Sequence, residues 1–300
     1  QLLQKLLEEP FMEEIKQRMS DYWTRRAPDF SRLRMRELSG GKHQLWLAEF
    51  RRYLPRGEPL DILDLGTGSG FFCFLLGAQG HRMTGIDLTG GMIAEARRTS
   101  EALGIPAQFH VMDAEEPGFA PRSFDVLVTR NLTWGLPHLP RAYANWHALL
   151  RPGGLLINFD ADYCREDPSR PLPENHAHKG ISPALAREYE DFKELLRPSQ
   201  RPRPQWDREL LGSGTSRWIP ASGSGSTPIS TSSTTPRPSS PSPPQPEERS
   251  EANPVRKYAL RRLLQLIPIL LAVTFLSFAM MRLAGSDAVL QKMENTGAAV

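Results

Sequence analysis

Three glycines and a recurring carboxylate set the chemistry open to this chain. Positions 61–70 read D-I-L-D-L-G-T-G-S-G, so Gly66, Gly68 and Gly70 follow an acid, Asp64, at alternate positions. Glycine accepts positive φ and has no Cβ, so a ligand can lie against bare main chain there. More acids stand at the ends of later apolar runs: Asp87 in M-T-G-I-D-L, Asp113 in F-H-V-M-D-A and Asp160 in L-L-I-N-F-D. An acid roughly 20 residues beyond such a turn can accept both hydroxyls of a ribose, and Asp113, one run further on, falls beside an adenine amino group. The chemistry is that of holding a nucleoside.

Those residues need strands to bring them to one edge. Leu60, Ile62, Leu63 and Leu65 make a run too brief for a helix that suits a buried parallel strand. Phe71 to Leu76 can open a helix, which puts the glycines in a strand-to-helix turn beside a helix N-terminus. Runs 83–88, 109–114, 124–131 and 153–160 read as the second to fifth strands of a doubly wound sheet, all pointing their carboxyl ends the same way. The dinucleotide fingerprint G-x-G-x-x-G needs a glycine where Phe71 stands; G-x-G-x-G after an acid is instead the pattern of S-adenosylmethionine sites.

With I-L-D-L-G-T-G-S-G, G-I-D-L, V-M-D-A and L-L-R-P-G-G-L-L in hand, residues 22–212 resemble class I S-adenosylmethionine-dependent methyltransferases of the small-molecule type. The resemblance implies an α/β, mostly parallel Rossmann-like sheet with S-adenosylmethionine as cofactor and a small-molecule methyl acceptor. It assigns to the cofactor Asp64, Gly66, Gly68, Gly70, Asp87, Leu88, Met92, Asp113, Ala114 and Arg130, and to the acceptor side Asn131, Trp134, Asp160 and Tyr163. Met92 reads equally as an adenine neighbour or a core methionine. Trp134 either closes over the methyl donor or packs. The Y-W-T-R-R-A-P-D-F stretch at 22–30 is similar to the segment that often precedes this domain and closes over the cofactor. No catalytic base is named.

Bulk composition narrows the class only a little. The 300 residues are 39% hydrophobic with a net charge of +3, and no basic stripe interleaved with aromatics argues for nucleic acid. Two cysteines, Cys73 and Cys164, exclude a disulfide scaffold and fit a reducing compartment. The chain starts at Gln1 without a charged-then-apolar leader, so its N-terminal part is expected in the cytoplasm.

In chain order, 1–54 reads as a helical lid or packing region, with a helical period broken at Pro10 and a second amphipathic helix from Lys42. Residues 55–212 carry the methyltransferase-like domain. The H-A-H at 176–178 lacks a matched third ligand, so no metal is expected; the carboxylates at 160 and 162 read as loop caps, a metal pair or a general base. Arg203-Pro204-Gln205-Trp206-Asp207 is similar to a late-domain motif of related methyltransferases.

Residues 213–254, rich in Ser, Thr and Pro, read as a disordered linker standing where the family places two closing strands. The 263–281 run is apolar enough for a transmembrane helix at about 1.5 Å per residue across a ~30 Å hydrocarbon core. Arg256, Lys257, Arg261 and Arg262 before it place that flank in the cytoplasm, giving a single-pass protein of the cell membrane. Residues 255–300 resemble the start of permease subunits of dipeptide, oligopeptide and nickel ABC importers, which implies importer subunits as partners. A frame-shifted methyltransferase end running into a permease gene would explain the joint, and the encoding DNA would show it. The rival functions are a transport component with an inert or regulatory N-terminal domain, and a nicotinamide oxidoreductase disfavoured by Phe71.

Overall fold

The computed structural model describes residues 2–165, 172 and 176–211. The expected linker and the 263–281 run lie outside them; among the described residues no helix is long and apolar enough to cross a membrane. Contacts divide the chain into two units. The larger, Glu14–Pro238, holds the sheet and the residues around it, and of the smaller only the opening turns of the first helix are described.

Five strands form one parallel sheet in the order β3-β2-β1-β4-β5: β1 (Asp61–Leu65), β2 (Arg82–Asp87), β3 (Gln108–Val111), β4 (Phe124–Arg130) and β5 (Leu150–Phe159). Side chains of a strand alternate between its two faces. Thus Ile62, Val126, Val128, Ile157 and Phe159 join one buried cluster, and Leu63, Leu65, Leu127 and Leu156 another. The first face is covered by α2 (Lys42–Phe50), α3 (Phe71–Gly77) and α4 (Gly90–Leu103), the second by α5 (Leu139–Leu149) and α7 (Gln205–Leu211). Order reverses at β1, flanked by β2 and β4, and in such sheets the crevice at the strands' carboxyl ends is where ligands bind. β5 is the last strand; none pairs with its outer edge among the described residues.

One expectation fails. The helix predicted to break at Pro10 runs as α1 from Leu2 to Ser39, through both Pro10 and Pro28. A proline costs a helix one N–H bond, but tertiary packing can hold the helix on either side, and here α1 buries Ile15, Tyr22, Ala27 and Ser31 along its length. The 22–30 segment is therefore the middle of one helix. α6 (Pro183–Leu196) starts cleanly, with the Ser182 hydroxyl accepting from Leu185 N at 3.3 Å and Pro183 in the first turn.

Candidate functional site

The β1–α3 turn is built from glycine conformations. Gly66 and Gly68 have φ of 66° and 53°. A Cβ on Gly66 would stand 2.8 Å from Leu132 Cδ1, and one on Gly68 would stand 3.0 Å from Phe30 Cε1. The turn is fastened from two sides. Thr67 N donates to Ile86 O at 2.8 Å, and Gly68 N donates to Asp87 Oδ2 at 2.9 Å. Asp87 Oδ1 accepts from Thr89 N at 2.9 Å, so one carboxylate at the β2 tip ties the glycine turn to the start of α4. Burial pushes its pKa up while these amides pull it back.

Asp64 is held by side chains. Its Oδ2 accepts from the Thr67 hydroxyl at 2.7 Å and from the Cys73 thiol at 3.8 Å. Only 2% exposed, it is pushed by burial up to about 7.

Around the turn lie the other cofactor-side candidates. Leu88 is 39% exposed beside Asp87, an apolar surface that a flat base can cover, while Met92 is 2% exposed inside α4. Asp113 and Ala114 follow β3. Asp113 Oδ1 accepts from Glu115 N at 2.8 Å, and its Oδ2 accepts from Lys16 of α1, also at 2.8 Å. Arg130 is drawn to the other side. Its guanidinium donates to both oxygens of Glu37 at 3.1 and 3.3 Å and lies 4.5 Å from the Trp46 ring centre.

The four acceptor-side candidates do come together. Asp160 Oδ2 accepts from the Thr133 hydroxyl at 2.5 Å and from Trp134 N at 3.0 Å. The Trp134 indole N–H donates to Asn131 O at 3.1 Å, and Tyr163 OH donates to Asn131 Oδ1 at 2.9 Å. Trp134 and Tyr163 pack edge to face with ring centres 5.7 Å apart. Asn131 itself sits at φ 55°, a left-handed position that asparagine tolerates. Asp160 thus shapes the loop after β4, and burial raises its pKa against the pull of Arg203.

The R-P-Q-W-D motif explains itself as an anchor. Arg203 Nη1 donates to Thr133 Oγ1 at 2.7 Å and to Asp207 Oδ1 at 2.9 Å, and its Nη2 donates to Thr133 O at 2.7 Å. Tyr143 OH donates to Asp207 Oδ1 at 2.6 Å, which ties α7 and α5 together under the acceptor-side loop.

α1 crosses the whole crevice. Met19 stands 3.0 Å from the Cβ position of Gly135, Ala27 lies against Gly91 and Phe30 against Gly68. Tyr22 OH shares a 2.9 Å hydrogen bond with His178 Nδ1, and Arg26 donates to Ala177 O at 2.6 Å. His178 stacks on Tyr189 at 3.7 Å, and burial, with His176 and Arg26 nearby, pulls it down to about 2, so it stays neutral. Among the described residues no three His, Cys, Asp or Glu gather as metal ligands.

Sequence reading passed over Lys16, Arg34, Glu37 and Glu115. Glu115, one residue past Ala114, is fully buried and meets Lys16 at 2.6 Å, Arg141 at 3.1 Å and His138 N at 2.5 Å. The i,i+3 spacing of Arg34 and Glu37 was a visible signal for a helical pair; nothing in the sequence tied Lys16 to a strand tip.

The residues suit an adenosyl sulfonium: a turn with positive φ at Gly66 and Gly68, a half-buried acid at the ribose position and an exposed leucine beside it. Residues 62–154 match a family model described as a methyltransferase domain. Over 112 residues the chain is 38% identical to aklanonic acid methyltransferase DauC of Streptomyces sp. (strain C5), covering 35% of this chain and 50% of that protein. It is 33% identical over 124 residues to the ubiquinone/menaquinone biosynthesis C-methyltransferase UbiE of Dinoroseobacter shibae, covering 40% and 50%. A solved SAM-dependent methyltransferase from Methanosarcina mazei aligns at 29% identity with a TM-score of 0.34, over 36% of this chain and 54% of that one. The chain spans about half the length of the curated relatives it matches. With strand order, turn and family match in agreement, residues 62–154 are a class I methyltransferase domain whose cofactor is S-adenosylmethionine.

Proposed function

We propose that the chain transfers a methyl group from S-adenosylmethionine to a small molecule held beside Asn131, Trp134, Asp160 and Tyr163. The observation that carries the reading is the clasp of the glycine turn by Asp87 at 2.9 Å, which sets the acid of the β2 tip against the main chain of the turn. Small-molecule acceptors are supported by the relatives, whose names speak of aklanonic acid and of ubiquinone and menaquinone biosynthesis. When bound, the cofactor supplies a methyl group on a strong leaving group. The chain's own contribution is then alignment. Asp87 holds the ribose, Asp113 and Ala114 meet the adenine, and α1 covers the crevice; His178, kept neutral, and Asp160, engaged by Thr133 and Trp134, hold the acceptor wall in shape. Incubating the full chain with metabolite extract and methyl-labelled S-adenosylmethionine tests this. Label is expected in a low-mass product, and label recovered only in unreacted donor would contradict it.

We also propose that 263–281 tethers the domain to the membrane with the domain on the cytoplasmic side, and that 255–300, similar to a permease N-terminus, faces importer subunits. Support comes from the apolar run and the four basic residues before it. The full chain is expected to stay in the membrane pellet after alkaline carbonate extraction, and its release to the supernatant would refute the tether.

A further inference from the structure

Asn131 is the first residue past β4, and its backbone is pinned in an unusual place. β4 lies beside β1 with Thr129 opposite Leu65, so Asn131, two residues on, stands across from the glycine turn. The next residue, Leu132, reaches to 2.8 Å from the Cβ position of Gly66. At φ 55° Asn131 is in the left-handed region, and it is held there from both sides. Its N donates to Phe159 O at 2.8 Å, and its O accepts from the Trp134 indole at 3.1 Å. Backbone strain of this kind persists where the surroundings impose it, and it clusters at functional sites.

The side chain is pinned as well. Tyr163 OH donates to Asn131 Oδ1 at 2.9 Å. Oxygen and nitrogen stand on opposite sides of a planar carboxamide, so a hydroxyl fastened to the one turns the other away from it. What Asn131 presents beyond Tyr163 is an NH2 group, whose two donors meet no partner among the described residues. Asn131 is exposed, so a ligand can reach them. The half-buried Tyr163 ring flanks them, packed edge to face on Trp134. Fixed N–H donors beside an aromatic ring suit an oxygen carried on a flat ring, and most of all an anionic one. They suit an amine poorly, because its own N–H groups call for acceptors.

We propose that the Asn131 amide donates to a phenolate or enolate oxygen of the methyl acceptor, and that Tyr163 is the positioning residue that turns the amide outward. The inference rests on the methyltransferase reading and narrows its acceptor to a flat, oxygen-bearing molecule rather than an amine.

The full chain is first titrated with S-adenosylhomocysteine. Once saturated, it is dialysed to equilibrium against 4-nitrophenolate and, separately, against 4-nitroaniline, which has the same shape with an amine in place of the oxygen. Wild type is expected to bind the phenolate about 10- to 100-fold tighter than the aniline. Asn131→Gly keeps the left-handed backbone and removes the amide, so it is expected to lose that preference while binding S-adenosylhomocysteine as wild type does. Tyr163→Phe keeps the ring and frees the amide to turn. The preference is expected to narrow about 3- to 10-fold there with S-adenosylhomocysteine binding unchanged, and an unmoved ratio overturns the role given to Tyr163. Equal affinity of wild type for the two probes, no binding of the phenolate, or a preference kept by Asn131→Gly overturns the proposal while the cofactor site stands. Failure of wild type to bind S-adenosylhomocysteine removes the methyltransferase reading and this inference together. Should Asn131→Gly melt below assay temperature, Asn131→Asp decides: it tolerates the same backbone and presents acceptors only, so it is expected to reject the phenolate, and binding as tight as wild type's is the overturning result.

Discussion

Replacing Asp87 with alanine is expected to weaken S-adenosylhomocysteine binding about 100-fold. Two ribose hydroxyls donating to one carboxylate are charge-assisted bonds, each contributing about 1.5–3 kcal/mol net, and part of that is recovered by water in the variant. A second contribution comes from the turn itself, because Asp87 is the acceptor for Gly68 N at 2.9 Å and for Thr89 N at 2.9 Å. Without it the glycine turn loses its tie to β2, and the backbone the cofactor lies on is less fixed. Asp87→Asn keeps one carbonyl acceptor and is expected to fall between, about 10-fold weaker than wild type. Calorimetry reads the affinities, with circular dichroism as a check on folding. Unchanged affinity in Asp87→Ala would remove Asp87 from the cofactor site.

The largest stability effect is expected at Glu115. Its carboxylate is fully buried and is met by Lys16, Arg141 and His138. Burial alone would raise its pKa, but the hydrogen bonds from His138 and Lys16 outweigh it and hold the group down at about 2. Burial likewise opposes the Lys16 ammonium, and the bonds to Asp113 and Glu115 keep it above the usual lysine range. Removing one partner of such a pair leaves buried charge uncompensated, so Glu115→Gln is expected to lose about 3 kcal/mol at pH 7 in urea unfolding. The sign of the pH dependence follows. A carboxyl held below its unfolded range lends stability at neutral pH and loses it as the pH falls. The gap between wild type and Glu115→Gln should thus be full above about 4.5 and narrow as pH approaches about 2. A gap below about 1 kcal/mol at pH 7, or one that does not narrow in acid, would show that the pairing does not hold α1 to the β3 tip.

Much of the fold was legible because buried parallel strands are written as short apolar runs ending in turns. β1, β2 and β4 lie within about a residue of where their runs predict; β3 and β5 differ more, since Met112 to Ala114 leave the ladder and Leu150 to Pro152 join β5. The glycine turn was legible for the same reason: spacing alone specifies a backbone that only glycine adopts easily. α1 was not, because Pro10 reads as a break and only tertiary burial of residues such as Phe11, Ile15 and Tyr22 holds the helix through it. Arg130, by sequence a strand-tip residue facing the cofactor, is turned toward Glu37 and Trp46, partners 93 and 84 positions earlier in the chain. Such long-range pairing leaves no local pattern. The same holds for Lys16 and Asp113 at 2.8 Å, and for the grip of Arg203 on Thr133.

The most direct measurement titrates the full chain separately with S-adenosylhomocysteine and with NAD. Saturable binding of S-adenosylhomocysteine with none of NAD is the predicted result, because the turn at 66–70 carries Phe71 where a pyrophosphate-binding loop needs a third glycine. NAD binding in preference, or no binding of either, would contradict it.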